Sequence, residues 1–279
     1  MVTFVQQSRF VLPDDAPRVL VPTGFGLNCE AETAHACRLA GLEPHLVHIN
    51  DVLAGGVHLA DYGMVVMIGG FAFGDHLGAG KALSIRLKHR LPESLASFVD
   101  EGGLLLGICN GFQTLAKMGL LPRLDGEVEQ RVTVTTNDSG RFHDGWVRLQ
   151  GDRESPCIFT RGLDRLDLPV RHGEGKVVIS SWEIFDRILS EGLVPVRYLG
   201  PDGQPTEAYP YNPNGSRRAL AGLCDPTGRI FGLMPHPEAY HSPYLHPLWP
   251  QQRRARTLPK EGPGLIIFKN AADYLRNRV

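Results

Sequence analysis

Leu104-Leu105-Leu106-Gly107-Ile108-Cys109-Asn110-Gly111-Phe112-Gln113 is an apolar run that ends in a cysteine held between two glycines. Five consecutive core residues after Gly102-Gly103 are too few for a helix and do not alternate, which predicts a strand covered on both faces. A helix is predicted directly after it, from about Asn110 to Met118. A strand, a sharp turn and a helix carrying G-x-nucleophile-x-G make a nucleophile elbow, with Cys109 where esterases place serine. Glycine is needed on both sides because the turn is strained and its neighbours approach without room for a Cβ. Such a turn lifts the sulfur out of the carboxyl edge of the sheet, where open α/β folds bind ligands.

The same texture extends upstream. Val19-Leu20-Val21, Leu46-Val47-His48-Ile49 and Met64-Val65-Val66-Met67-Ile68 are further short apolar runs, the first closed by Pro22-Thr23-Gly24 and the third by Gly69-Gly70. Between them lie helical stretches: one capped by Asn28 with Glu30 and Glu32 in its first turn and ended by Gly41, one from about Ala79 to His89, one from Pro92 to Asp100. Alternation of buried strands with helices predicts an α/β fold, a mainly parallel doubly wound sheet flanked by helices.

Downstream of Leu121 the pattern changes. Val132-Thr133-Val134-Thr135 and Trp146-Val147-Arg148-Leu149 alternate, so 122–228 is expected to be largely antiparallel strands and loops packed on one side of the sheet. Ile230-Phe231-Gly232-Leu233-Met234 returns to the core pattern. Residues 240–264 carry Pro243, Pro247, Pro250, Pro259 and Pro263 with little periodicity and are expected to be a long loop, and a last helix from about Ile267 to Arg276 closes the chain. Residues 1–17 are expected to be an N-terminal extension and 18–279 a single domain.

The bulk numbers suit that architecture. The chain has 279 residues, 42% hydrophobic and 21% charged, near the average for soluble globular proteins. A formal net charge of -1 offers no footprint for nucleic acid or an anionic membrane. The one basic cluster, Arg253, Arg254 and Arg256, is expected to be a solvated loop. Five cysteines without a close C-x-x-C pair argue against a disulfide framework and a thiolate zinc site. With no signal-like N-terminus and no apolar stretch of membrane-spanning length, a reducing cytoplasm is the expected compartment.

A cysteine nucleophile needs a base, and the base needs a group to orient it. Met234-Pro235-His236-Pro237-Glu238 supplies both directly after an apolar strand. The prolines forbid helix, so His236 and Glu238 are expected on one side of an extended segment. Gly69-Gly70-Phe71, at the end of a different strand, can offer the Gly70 backbone N–H to an oxyanion, with the Asn110 N–H as second donor. Cys29, Cys37, Cys157 and Cys224 lack comparable context and read as core residues. His236, His241 and His246 recur every five residues, but the intervening prolines exclude a helical ligand face, and no metal site is expected.

Gly107-Ile108-Cys109-Asn110-Gly111-Phe112-Gln113 together with Pro235-His236-Pro237-Glu238 resembles the class I glutamine amidotransferases. Further segments narrow the resemblance to the glutaminase components of phosphoribosylformylglycinamidine synthases: Gly24-Phe25-Gly26-Leu27-Asn28-Cys29-Glu30, Gly69-Gly70-Phe71-Ala72-Phe73-Gly74-Asp75-His76, Arg171-His172-Gly173-Glu174-Gly175 and Asn212-Pro213-Asn214-Gly215-Ser216. Ile68 stands where that family often has proline. The resemblance implies Cys109 as nucleophile, His236 as general base and acid, Glu238 as its orienting carboxylate, Gly70 and Asn110 as oxyanion donors, and Gln113 among the groups holding substrate L-glutamine. It implies no cofactor in this chain. ATP and magnesium are expected on a partner, a large synthase subunit, with a small accessory subunit as a further candidate; no G-x-x-x-x-G-K-[ST] signature is found here. The rival reading is a stand-alone cysteine hydrolase or peptidase on a similar scaffold, against which Gln113 and the family-specific segments count.

Overall fold

Apolar runs with no polar alternation can be buried only between two layers, and the central sheet is built from them. The computed structural model describes residues 12–13, 15–88 and 91–278. The first strands and helices alternate: β1 (Arg18–Thr23), α1 (Glu30–Leu39), β2 (Glu43–His48), α2 (Ile49–Leu53), β3 (Met64–Met67), α3 (Lys81–Lys88), α4 (Pro92–Asp100), β4 (Leu104–Ile108) and α5 (Asn110–Met118). An antiparallel region follows, with β5 (Val132–Thr136), β6 (His143–Gly151), β7 (Arg165–His172), β8 (Glu174–Ile179), α6 (Trp182–Ser190) and β9 (Val196–Tyr198). The chain then returns through β10 (Gly222–Cys224) and β11 (Ile230–Leu233) and ends in α7 (Trp249–Arg254) and α8 (Leu265–Arg276).

The main sheet has the order β10-β11-β4-β3-β1-β2. Only β10 runs antiparallel to its neighbour. Every residue of β3, β4 and β11 is buried, as their sequences require. Register decides where the functional segments meet. Met67 lies opposite Gly107, and Gly107 opposite Gly232, so β3, β4 and β11 finish side by side. Gly69-Gly70, Cys109 and Pro235-His236 therefore emerge together at one carboxyl edge. The antiparallel region makes a two-stranded β5-β8 sheet and a three-stranded β7-β6-β9 sheet.

Several expectations are corrected. Asn28 does not cap α1; Cys29 occupies the cap position without a side-chain hydrogen bond, and the Asn28 N–H instead donates to Gly69 O at 3.3 Å. Tertiary pairing with the glycine loop thus outcompetes the local cap. Helix α6 lies inside the stretch read as strands and loops. Its signals were local: Ser181 Oγ accepts from the Ile184 N–H at 3.2 Å, and Phe185 and Ile188 bury one face. The 240–264 segment contains the α7 turns, a short helix opened by Leu248 with Pro250 in its first turn. The helix expected to reach His89 is seen to Lys88, and His89 lies outside the described residues, as does most of the 1–17 extension. No helix among the described residues is long and apolar enough to cross a membrane.

Candidate active site

The elbow forms where the glycines permit it. Cys109 takes φ 51° and ψ −106°, a left-handed backbone that L side chains rarely adopt, and its N–H donates to Leu233 O at 2.8 Å. A Cβ at Gly107 would lie 2.9 Å from Phe112 N, and one at Gly111 would strike the Met67 carbonyl. Helix α5 packs so closely on β3 and β4 that neither position tolerates a side chain. Helix-start geometry leaves the Asn110 N–H without an intrahelical acceptor and close to the sulfur.

His236 and Glu238 come together at the neighbouring strand end. His236 is extended, at φ −105° and ψ 91°, but Pro237–Tyr240 forms a turn of 3-10 helix, so the expected extended path stops at His236. That turn still swings Glu238 back onto the ring, with Oε1 2.6 Å from His236 Nδ1. Both side chains are almost wholly buried, at 2% and 0% exposure. His236 Nε2 is buried without a hydrogen-bond partner and left for the reaction. Burial works against a charged imidazole, but the Glu238 carboxylate, then the negative charge at Cys109 and contacts with the Cys109 and Cys29 thiols, outweigh it and hold His236 well above its ordinary value.

Around these groups lies a cavity of about 450 Å³ lined by Asn28, Cys29, Glu32, Gly70, Phe71, Cys109, Phe142, Asp144, Arg171 and His236 among others. Gly70 sits in it at φ 142°, held by the bridge between Leu27 and Gly70 and by the Phe71 N–H donating to Gly26 O at 2.9 Å. The Gly69-Gly70 loop is thereby fixed by the segment that leads into α1.

Gln113 is placed differently. Its Nε2 donates to Glu174 O at 2.6 Å and its Oε1 accepts from Asn110 Nδ2 at 3.0 Å, while Asn110 Nδ2 also reaches Asp75 Oδ1 at 3.1 Å. In this geometry Gln113 ties α5 to the start of β8. It does not line the cavity. Burial raises the Asp75 carboxyl above its ordinary range, though the Asn110 hydrogen bond opposes the shift.

Sequence reasoning missed four residues that the fold brings to the site. Arg171, one residue before the end of β7, has its carbonyl 4.0 Å from Cys109 Sγ, and its Nη2 donates to Glu32 Oε1 at 2.7 Å. Asp144, on β6 opposite Arg171, faces the same cavity. Cys29, read as core, lies against His236, and burial first of all pushes its thiol up to about 11. Cys29 and Arg171 stood in segments already singled out, but neither was assigned to the site. The others are separated from Cys109 by strand pairings that no local pattern announces. The His236, His241, His246 series does not converge: His241 stacks edge-on against His35, while His246 Nε2 lies 3.5 Å from Asp167.

Comparison with known proteins identifies the family. A family model described as a CobB/CobQ-like glutamine amidotransferase domain matches residues 16–275. The chain is 45% identical over 253 residues to phosphoribosylformylglycinamidine synthase subunit PurQ of Dehalococcoides mccartyi, covering 90% of this chain and 94% of that one. It is 34% identical to a probable phosphoribosylformylglycinamidine synthase of Arabidopsis thaliana, covering 97% of this chain but 20% of that longer one. Among solved structures, a chain of PurLQS from Thermotoga maritima superimposes with a TM-score of 0.67 at 27% identity, over 93% of this chain and 99% of that one.

Proposed function

Because the chain belongs to the CobB/CobQ-like glutamine amidotransferase family, we propose that it hydrolyses L-glutamine through a thioester on Cys109 and supplies ammonia to a synthase subunit. That partner would use it for the ATP-dependent conversion of formylglycinamide ribonucleotide to formylglycinamidine ribonucleotide, a step of purine biosynthesis. The observation that carries the reading is the left-handed Cys109 at one strand end beside the 2.6 Å His236–Glu238 pair at the next.

Each residue then has a task. Cys109 Sγ attacks the side-chain amide carbon of glutamine. The oxyanion forms toward the N–H groups of Gly70 and Asn110, which supply preorganised dipoles in a buried site. His236 gives its proton to the departing ammonia and then takes one from the water that opens the thioester, releasing glutamate. Glu238 holds the imidazole in one tautomer and stabilises its charged form. A free amino acid carries both charges, and Arg171 and Asp144, paired on β7 and β6, provide one of each in the cavity wall. Gln113 supports the site by holding Glu174 and Asn110, or turns to the substrate by giving up those bonds. ATP and magnesium belong to the large synthase subunit, and a small accessory subunit is a further partner.

The test is made on the assembled enzyme. Cys109→Ala should abolish glutamine-dependent amidation while ammonia-dependent amidation continues, since external ammonia bypasses the thioester. Loss of both activities in a folded, partner-bound variant would refute this division of labour. Activity on peptides rather than glutamine would favour the stand-alone hydrolase reading.

A further inference from the structure

The proline-rich stretch after the catalytic histidine builds a corner whose outer surface is unlike the rest of the molecule. The 3-10 turn Pro243–Leu245 packs against α7, with the Tyr244 ring edge-on to Trp249 at 5.4 Å. Tyr244, Leu245 and Leu248 are 57%, 45% and 48% exposed. Arg253 lies one helical turn beyond Trp249, on the side of α7 where Tyr244 packs. Arg253, Arg254 and Arg256 are exposed, and none has a carboxylate partner among the described residues. Large apolar side chains left this close together in solvent mark an interaction surface, and tyrosine and arginine are enriched at such surfaces. The corner also stands beside the catalytic cavity. On β6, Trp146 faces the same side as Asp144, which lines the cavity, and its ring packs edge-on against His246 at 4.7 Å and Tyr240 at 4.9 Å. On β7, Asp167 shares a face with Arg171 of the cavity wall and lies 3.5 Å from His246 Nε2.

We propose that Tyr244, Leu245 and Leu248, with Arg253, Arg254 and Arg256 beside them, form the docking surface for an acidic face of the large synthase subunit. The identity of that partner rests on the proposed function. Charge selects the occupant. A second copy of this chain in a two-fold contact would set arginine against arginine, which costs free energy instead of supplying it. A nucleic acid would meet the arginines but leave the tyrosine and leucines uncovered, and the chain as a whole carries a formal net charge of -1. A protein surface that offers carboxylates around an apolar depression satisfies both halves of the patch. The two halves have different tasks. The arginines attract the partner from a distance and set how fast it arrives, while the buried tyrosine and leucines set how long it stays. Docking here places the partner next to the cavity from which ammonia departs.

The experiment measures association of the full chain with the large synthase subunit, purified from the same cells, over a salt series. The expected result in the parent is an association rate that falls steeply with salt. The triple variant Arg253→Glu, Arg254→Glu, Arg256→Glu should lower that rate by roughly 10–10³-fold at low salt and flatten its salt dependence. Tyr244→Ala should instead speed dissociation and raise Kd by about 10-fold or more. Because these side chains are exposed, both variants should keep the parent melting temperature and the parent rate of Cys109 labelling by a glutamine-like electrophile. Unchanged binding in both variants would overturn the proposal. So would a dimer of this chain, or capture of a nucleic-acid duplex, that the same substitutions abolish. Glutamine-dependent amidation by a complex indifferent to both variants would sink the docking surface and leave the function standing. Patch-dependent binding to the synthase by a chain that never hydrolyses glutamine would do the reverse.

Discussion

Cys109 and His236 stand at the ends of adjacent parallel strands, yet one is placed by its own turn and the other by a distant segment. The cysteine owes its position to the continuous stretch 104–118: β4 before it, α5 after it, and two glycines that let the helix close on the sheet. The histidine is anchored from outside the main sheet. Its N–H donates to Pro169 O at 2.9 Å, on β7, and the same strand brings Arg171 over the nucleophile, with its carbonyl 4.0 Å from Cys109 Sγ. The elbow is therefore a property of the α/β layer, while the base and the substrate cavity depend on the antiparallel region as well. Damage to the first should abolish the site; damage to the second should detune it.

The largest effect is expected from Gly111→Ala. The added methyl meets the Met67 carbonyl, so α5 must leave β3 and the elbow opens. Overpacking against backbone should exceed the usual 1–3 kcal/mol, about 10 °C in melting temperature for a domain of this size, with no residual turnover. Calorimetry showing a native-like melting point would mean that the elbow is looser than described.

Glu238→Gln tests the second half. The amide keeps a hydrogen bond to Nδ1 but cannot stabilise imidazolium, and kcat should fall roughly 10²–10⁴-fold in a folded protein. Turnover near the original rate would remove Glu238 from the triad. Arg171→Met should be milder and of a different kind. Losing a charge-assisted contact that substrate and transition state share raises KM by roughly 10–100-fold with little change in kcat. A fall in kcat alone would place Arg171 in the chemistry instead.

How much of this was legible follows the same division. Leu104–Ile108 and the helix from Asn110 to Met118 were read to the residue, because buried strands and glycine-bounded turns are local signals. That the His236 and Glu238 side chains meet was expected from their spacing, though the 3-10 turn that joins them was not. Asn28 lost its capping role to Gly69, and Arg171, Asp144 and Glu32 were not assigned to the site, since each arrives by a long-range pairing. Cys29 was read as core because it lacks the glycine-flanked turn of Cys109; it is indeed buried, and what distinguishes it is the imidazole beside it.

The smallest expected effect is in stability against pH, where two histidines pull in opposite directions. His172 is held down to about 3, first by burial and then by the charges of His236 and His143. Its Nδ1 donates to Asn137 Oδ1 at 3.0 Å, since the Asn137 amide nitrogen is itself donating to Arg141 O and His172 O. The neutral ring contributes stability that is fully present above the ordinary value of 6.5 and is lost as pH falls from there toward about 3. His236 is raised, so its contribution is full below 6.5 and is lost as pH rises through its elevated folded value. Denaturant midpoints should fall less on acidification in His172→Gln than in the parent. An unchanged acid slope would mean that His172 is not the group protonated.

The central claim, that Cys109 is activated by His236 toward a glutamine side chain, is tested most directly by labelling with a glutamine-like electrophile followed by peptide mass mapping. The account predicts one adduct, on Cys109, formed quickly in the parent chain, slowed about 100-fold or more in His236→Ala, and suppressed by excess glutamine. A label on Cys29, or a Cys109 label indifferent to both His236 and glutamine, would contradict it.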